Sequence, residues 1–310
     1  MSIPEADLRA RHLQETALRY FFEVARCGSV TEASQRLHVA ASAVSRQIAG
    51  LEQALGTALF ERHPRGMVLN AAGDILATHA RRTRLDAEKA IREILALQGL
   101  RSGKVRIVAS EGFANEFLPP LIVAFRQRNE GIVFELNVES PAQVSARVRD
   151  GEADIGMKFS RAPDKDIKVE YRQPAPVLAL MPPGHPLAGA RAVTLARISA
   201  YPMALPAPDT TVRQMIDMEC SRQQLLIESV LTSNNMTILH NFVLQGGGIS
   251  ISGEVSVRHL VSAGMLVAIP ISDRGMGVRD IEVQTLAGRS LPQAVLSFLA
   301  DLKQCLSGPA

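Results

Sequence analysis

The chain has no tryptophan, and only three tyrosines and three cysteines in 310 residues. With Tyr20, Tyr171 and Tyr201 as its full tyrosine complement, it advertises no pocket built on aromatic stacking. Cys27, Cys220 and Cys305 are odd in number, far apart and without C-x-x-C or paired metal spacing, which excludes a disulfide framework and a zinc site and leaves reduced thiols. For Cys220 a redox role stands against the simpler reading of a buried, inert thiol. The net charge of +3 is too small for a histone-like binder of nucleic acid and fits positive charge held in one place. G-x-x-x-x-G-K-S/T, H-E-x-x-H and G-x-S-x-G are all missing, and Gly248 to Gly253 places its last glycine one position too late for the third. His185 and His240 have no carboxylate and nucleophile at motif spacing. The expectation is therefore no catalysis, no cofactor and no metal. The opening stretch MSIPEADLRARHLQE carries no apolar core, so neither a signal peptide nor a membrane anchor is expected, and the cytoplasm is the expected compartment.

What is present begins with Ser29 to Leu55. Ser29 and Glu32 have the spacing of a capping box, so a helix should start near Val30 and stop around His38 to Ala41. From about Ser42, Val44, Ile48, Leu51 and Leu55 recur at steps of four, three and four, which line one face of a second helix. Its other face carries Ser42, Ser45, Arg46, Ala49 and Gln53. Upstream, Leu18, Phe21, Phe22 and Ala25 mark a third amphipathic helix that ends at Cys27-Gly28. Helix, turn and helix with a sparsely charged outward face suit entry into a DNA major groove, although an ordinary helical hairpin has the same periodicity. Leu59 to Leu69 then reads as strand, basic turn and strand, with Arg62 and Arg65 at the tip, where planar guanidinium groups suit phosphates or a narrow minor groove. Between Arg36 and Arg84 seven arginines face only Glu52, Glu61 and Asp74, so the basic excess sits where DNA binding needs it.

The run LRYFFEVARCGSVTEASQRLHVAASAVSRQIAGLEQALGTALFERHPRGMVLNAAG resembles the winged helix-turn-helix domain of LysR-type transcriptional regulators. The order AVSRQI, LE, LG, LFER and the closing L-x-x-x-G all fall at the family's spacing. One departure is Ala40-Ala41, where the family usually has Ser-Gln; alanine can only pack, for example on a thymine methyl. The resemblance implies base reading by Ser42, Ser45 and Arg46, with Gln47, Arg36, Arg62 and Arg65 as further DNA-binding residues, the wing arginines on the phosphates.

Asn70 is a good N-cap for a segment from Ala71 to about Leu97, a helix of roughly 40 Å at the standard rise. Leu76, Ala80, Thr83, Ala87, Ala90 and Ile94 step by four and three, a seam of small residues suited to pairing with a second copy; a surface helix packed on its own domain is the blander reading. In the family this is the linker helix that pairs two subunits. Gln98 to Gly103 breaks the helix. Beyond it strands and helices alternate, beginning with strands at Lys104–Ala109, Ile132–Val138 and Ala153–Phe159. That order implies parallel strands with crossover helices. The helix between the first two strands is expected over Asn115–Gln127, a further strand over Leu225–Leu231 and a late helix over Val255–Val261.

This half resembles the family's effector-binding part, a two-lobed α/β body like type 2 periplasmic binding proteins, on the markers Gly151 to Gly156, Gly184-His185-Pro186-Leu187 and Gly246 to Ile249. The expected fold is thus α/β multidomain: residues 1–70 a winged helix-turn-helix, 71–102 linker helix and hinge, and 103–310 effector-binding. One lobe comprises 103–175 and 271–310 and the other 176–270, with crossings near Pro174 to Pro176 and Pro270 to Ser272. Ligands of such bodies bind beyond the carboxyl ends of the strands, near helix N-termini. The expected lining is Ser110, Glu111, Gly112, Ser140, Pro206, Ser233 and Asn234, with Gly247 and Ile249 closing the side. Lys158 is expected either to pair with a ligand carboxylate or to be a solvated strand-end lysine. The family reading implies pseudo-palindromic double-stranded promoter DNA, a small effector such as an organic anion, a tetramer built from two dimers, and RNA polymerase as a further partner. The competing reading is a solute-binding protein whose N-terminal helices only oligomerise.

Overall fold

The computed structural model describes residues 16–63, 66–97, 103–160, 162, 164, 166–277 and 279–307. The chain divides into two units, 1–91 and 92–310.

Among the described residues the first unit contains α1 (Thr16–Cys27), α2 (Val30–Leu37), α3 (Ala41–Leu55) and a hairpin of β1 (Phe60–His63) and β2 (Gly66–Leu69). α4 (Ala71–Leu97) begins in it, with Asn70 Oδ1 accepting the Gly73 N–H at 2.9 Å. Leu18, Phe21 and Val24 of α1 meet Ala33 of α2, Val44, Ile48 and Leu51 of α3 and Phe60 of β1 in one core. Phe21 and Val24 are wholly buried, each contributing about 1.5–3 kcal/mol by removal of apolar area from water. Gly28 ends α1 at φ +68°, a left-handed value that glycine adopts without a Cβ penalty, and its carbonyl takes the Met67 N–H of the hairpin at 2.8 Å. Only half of the expected capping box forms. Ser29 Oγ accepts the Glu32 N–H at 3.4 Å, but the Glu32 carboxylate pairs with Arg36 at 2.7 Å.

The linker seam is also altered. Leu76 and Ala80 are buried in the core of the first unit, so they serve their own domain. Thr83, Ala87, Ala90 and Ile94 are exposed and keep the four-three-four spacing.

The second unit holds two five-stranded sheets. One runs in the order β4-β3-β5-β12-β6, from β3 (Gly103–Ala109), β4 (Ile132–Val138), β5 (Ile155–Ser160), β6 (Ile167–Pro174) and β12 (Asp280–Leu286). The other runs β11-β7-β10-β8-β9, from β7 (Val177–Met181), β8 (Met203–Pro206), β9 (Ser229–Ser233), β10 (Ile249–Gly253) and β11 (Val267–Pro270). Each sheet has its own core: Phe113, Phe125, Met157 and Phe298 pack in the first lobe, Met203, Met215, Ile249 and Met276 in the second. β3, β4 and β5 are parallel, as are β8, β9 and β10, but β12 runs antiparallel to β5 and β6, and β7 to β10 and β11. The sheets are therefore mixed: β12, which re-enters the first lobe from the second, runs against β5 and β6, and β7, the first strand of the second lobe, runs against β10 and β11.

The remaining helices are α5 (Glu111–Ala114), α6 (Leu118–Arg128), α7 (Pro141–Arg149), α8 (Leu195–Ile198), α9 (Thr211–Gln223), α10 (Met236–Leu244), α11 (Arg258–Ser262) and α12 (Gln293–Ser307). α6 starts at Leu118 instead of Asn115 because Pro119 and Pro120 lack N–H groups and fit only a first turn. β9 starts at Ser229 instead of Leu225, and the helix expected from Val255 is a 3-10 turn, Glu254–Ser256, followed by α11.

The first crossing between lobes falls at Ala175, as the prolines on either side suggest. The second does not fall at Pro270 to Ser272. Ile271 still bridges to Val193 and Met276 fills the second lobe's core, so the chain crosses between Gly277 and Asp280.

Candidate functional site

Two surfaces are candidates. On the first unit, α3 buries Val44, Ile48 and Leu51 and exposes Ser42, Ser45, Arg46, Gln47 and Ala49. No carboxylate pairs with Arg46 among the described residues. Ala40 occupies the N-cap with extended backbone and no side-chain cap, a consequence of the missing polar residue. Arg36 is exposed but tied to carboxylates: its guanidinium bonds Glu32 at 2.7 Å and lies 3.6 Å from Glu23, so it braces α2 against α1. Arg62 sits on β1, opposite Met67. Arg65 lies outside the described residues.

On the second unit, a cleft of about 520 Å³ opens between the lobes. Its first wall comes from Ser110, Glu111 and Gly112 after β3, Ser140 before α7, and Phe159 of β5. Pro206, Asp209, Thr210 and Thr211 after β8, and Asn234, Asn235 and Met236 at the start of α10, form the facing wall. Ser252, Gly253, Ser256 and Arg279 close its floor. The walls are bonded across: Glu111 Oε1 accepts the Met236 N–H at 2.7 Å, Asn115 Nδ2 donates to Thr237 Oγ1 at 2.9 Å, and Ser256 Oγ donates to the Gly112 carbonyl at 3.0 Å. Burial pushes the Glu111 carboxyl up, against hydrogen bonds from the Met236 and Thr237 N–H groups that hold it down. Ser140 Oγ donates to Gln143 Oε1 at 2.9 Å, whereas Ser110 Oγ is buried without a partner among the described residues.

Four expected lining residues are elsewhere. Lys158 is buried and paired with Asp164, a partner supplied by the irregular stretch after β5. Ser233 Oγ accepts the Asn235 N–H at 3.0 Å and is not in the lining. Gly247 lies under the Phe242 ring, where a Cβ would approach within 2.6 Å, and Ile249 is wholly buried in the core of the second lobe. The largest omission from the expected set is Arg279. It is 2% exposed, its Nε donates to the Ala175 carbonyl at 2.8 Å, its guanidinium lies 4.0 Å from the Phe159 ring centroid, and burial pushes it down to about 9. An arginine at a chain crossing, next to a glycine-rich turn, was the signal that could have pointed to it.

A helix-turn-helix with an exposed polar second helix, joined to a two-lobed body with a ligand-sized cleft, defines a DNA-binding regulator with a ligand-responsive half. Comparison with known proteins bears out that class and supplies the family. The model for the bacterial regulatory helix-turn-helix protein, lysR family, matches residues 16–74, and that for the LysR substrate binding domain matches residues 98–306. The chain is 28% identical over 257 residues to the RuBisCO operon transcriptional regulator of Allochromatium vinosum, covering 81% of this chain and 85% of that one. It is 30% identical over 262 residues to the HTH-type regulator YeiE of Escherichia coli K12, covering 84% and 88%. Among solved structures, full-length OxyR of Pseudomonas aeruginosa superposes with a TM-score of 0.66 at 20% identity, covering 93% of this chain and 94% of that one. Full-length CbnR complexed with its target DNA gives 0.52 at 20%, covering 93% and 98%. The chain belongs to the LysR family. It is a LysR-type DNA-binding transcriptional regulator with an effector-binding domain, which sets aside the solute-binding alternative.

Among the described residues no helix is long and apolar enough to cross a membrane, and no cluster of His, Cys, Asp or Glu could hold a metal ion. Burial, with the nearby Asp217, Asp273 and Glu219 charges, pushes the Cys220 thiol up, the opposite of the activation a reactive thiolate needs.

Proposed function

We propose that the protein controls promoters as a homo-oligomer whose cleft takes a small effector. Ser42, Ser45, Arg46 and Gln47 read bases in the major groove, and Arg62 and Arg65 of the wing hold phosphates. The observation that carries this reading is the exposure of those four α3 side chains over a fully buried apolar face. With Ala40 and Ala41 at the helix start, specificity leans further on half-site spacing and DNA deformability. The division into a winged domain to residue 70, a linker to 102 and an effector half beyond it belongs to the same proposal.

Pairing along Thr83, Ala87, Ala90 and Ile94 brings two winged domains to a pseudo-palindromic site. Exposed Val123 and Val133 on one lobe, and Met218, Leu226 and Val230 on the other, offer apolar surface for a second contact and hence a dimer of dimers. The effector meets Ser110, Glu111, Gly112, Ser140, Pro206 and Asn234, and shifts the arrangement of lobes by binding one better than another. RNA polymerase is the downstream partner, the cytoplasm the compartment, and no catalytic step is involved.

Footprinting on genomic fragments across a salt series tests the DNA part. The expected pattern is two protected half-sites whose affinity falls with salt while sequence preference persists. Binding without sequence preference at every salt would overturn it. Sedimentation equilibrium tests the assembly, a tetramer being the expected mass.

A further inference from the structure

The wing is too small to hold its own position. β1 and β2 pair from Phe60 with Leu69 to His63 with Gly66, and a two-stranded hairpin this short is at best marginally stable in water. Its place beside α3 has to come from contacts outside it.

Those contacts fall at its two ends. At the base, Glu52 of α3 reaches forward and its Oε1 accepts the Leu59 N–H at 2.8 Å. Asn70 adds two bonds there, from Nδ2 to the Ala58 carbonyl at 2.8 Å and from its N–H to the Leu59 carbonyl at 3.1 Å. Near the tip, the bond that leaves the hairpin is backbone to backbone, from the Met67 N–H to the Gly28 carbonyl at 2.8 Å. Gly66 makes that approach possible. Its φ is +132°, a value L side chains rarely adopt, and a Cβ on it would lie 2.4 Å from the Gly28 carbonyl oxygen. Backbone cannot swing aside as a flexible side chain would, so any residue larger than glycine lifts β2 off the turn between α1 and α2.

The base contact joins the two reading elements directly. α3 carries Ser42, Ser45 and Arg46 on its exposed face, and the same helix supplies the carboxylate that fixes the first residue before β1. Phosphates along a duplex have fixed spacing, so a wing held at a set distance from α3 meets them without the entropy cost of ordering a loose hairpin on binding.

We propose that Glu52 and Gly66 are positioning residues for DNA binding, one at the base of the wing and one at its tip. They act through the wing, delivering its arginines to phosphates in register with α3. The proposal rests on the reading of Arg62 and Arg65 as phosphate contacts.

The test is binding of the full chain to a site footprinted on genomic fragments, followed across a salt series. Arg62→Gln combined with Arg65→Gln sets the scale: the slope of log affinity against log salt should become shallower by up to about 1.8, at about 0.9 for each phosphate contact. Gly66→Ala should reproduce most of that change with both arginines present, and adding the arginine replacements to it should change little more. Base substitutions under α3 should keep their effect. Glu52→Ala should act in the same direction, and Glu52→Gln, which keeps an acceptor oxygen for the Leu59 N–H, should restore the parent slope. Gly56→Ala controls for backbone strain: at φ +69° with open space around a Cβ, it should lower Tm and leave the slope at the parent value.

A parent slope in Gly66→Ala and Glu52→Ala overturns the proposal, as does a full further loss when the arginine replacements are added to either. If Gly66→Ala does not fold, the contrast between Glu52→Ala and Glu52→Gln decides. Arginine replacements that leave the slope unchanged in the parent overturn the phosphate reading of the wing and this proposal together. Replacements that flatten it, beside positioning variants that do not, remove this proposal alone.

Discussion

The Glu111 carboxylate, on the lobe of β3 and β4, accepts the Met236 N–H at 2.7 Å and so caps a helix that belongs to the other lobe. A helix end leaves its first N–H groups without intrahelical partners, and a negative group there also meets the positive end of the helix dipole. One side chain therefore both completes α10 and ties the two lobes together across the cleft.

Replacing Glu111 with Ala should free the Met236 and Thr237 amides. Their hydrogen exchange in the ligand-free protein should quicken, by about fivefold for a cap worth roughly 1 kcal/mol. Unchanged exchange at both amides would show that the cap holds nothing together.

Asp154 is 2% exposed and accepts from the Arg106 N–H at 2.9 Å, from Arg106 Nη2 at 2.8 Å and from Arg289 Nη2 at 2.7 Å. Burial pushes its carboxyl up, but the Arg106 hydrogen bonds and the Arg289 and Arg106 charges outweigh this and hold it below the usual range. Asp154→Asn should cost about 3–5 kcal/mol in urea unfolding, because a buried pair loses one member. The sign with pH follows from the lowered value. This contribution is whole above the ordinary carboxylate range and is lost as pH falls through the folded-state value, so the gap between parent and variant should narrow in acid.

His240 is buried, with Nε2 3.3 Å from Ser252 Oγ, and burial lowers its pKa to about 4. The unfolded chain then binds the extra proton between about pH 6.5 and 4, so stability falls as pH falls through that window, by about 3 kcal/mol at most. Glu111 and Glu116 line the same small cavity and are raised by burial, which acts in the opposite direction. The readout is therefore the difference between parent and His240→Gln. Melting temperatures should converge as pH drops from 7 to 5, and parallel curves would remove His240 from the acid response.

Ala40 has N-cap geometry, φ −70° and ψ 140°, but no capping side chain. Ala40→Ser should stabilise the protein by about 0.5–2 kcal/mol, read as a higher unfolding midpoint. A lower midpoint would mean that the site has no room for the hydroxyl.

Arg46→Ala should weaken binding at a footprinted site by about 1–3 kcal/mol and relax preference at the bases it reads, with the salt slope changed little if the contact is to a base edge. A uniform loss across sequences with a shallower salt slope would move Arg46 to the phosphates.

Sequence alone determined the local elements and their order. The apolar steps Val44, Ile48 and Leu51, the Asn70 cap and the alternation of strands and helices are properties of short stretches, governed by backbone hydrogen bonding and periodicity, and the structure repeats them. Ser110, Glu111, Gly112, Ser140, Pro206 and Asn234 could be anticipated in the cleft lining because strand ends and helix starts are local features too. Only the tertiary structure decided which charges meet. Lys158 found Asp164, Arg36 found Glu23, and Leu76 and Ala80 were taken into a core before any second chain could use them. Arg279 reached the cleft floor because Ile271 and Met276 stay with the second lobe and carry the crossing further along the chain. Pairings of that kind depend on where separate elements are packed, and residue spacing along the chain does not encode them.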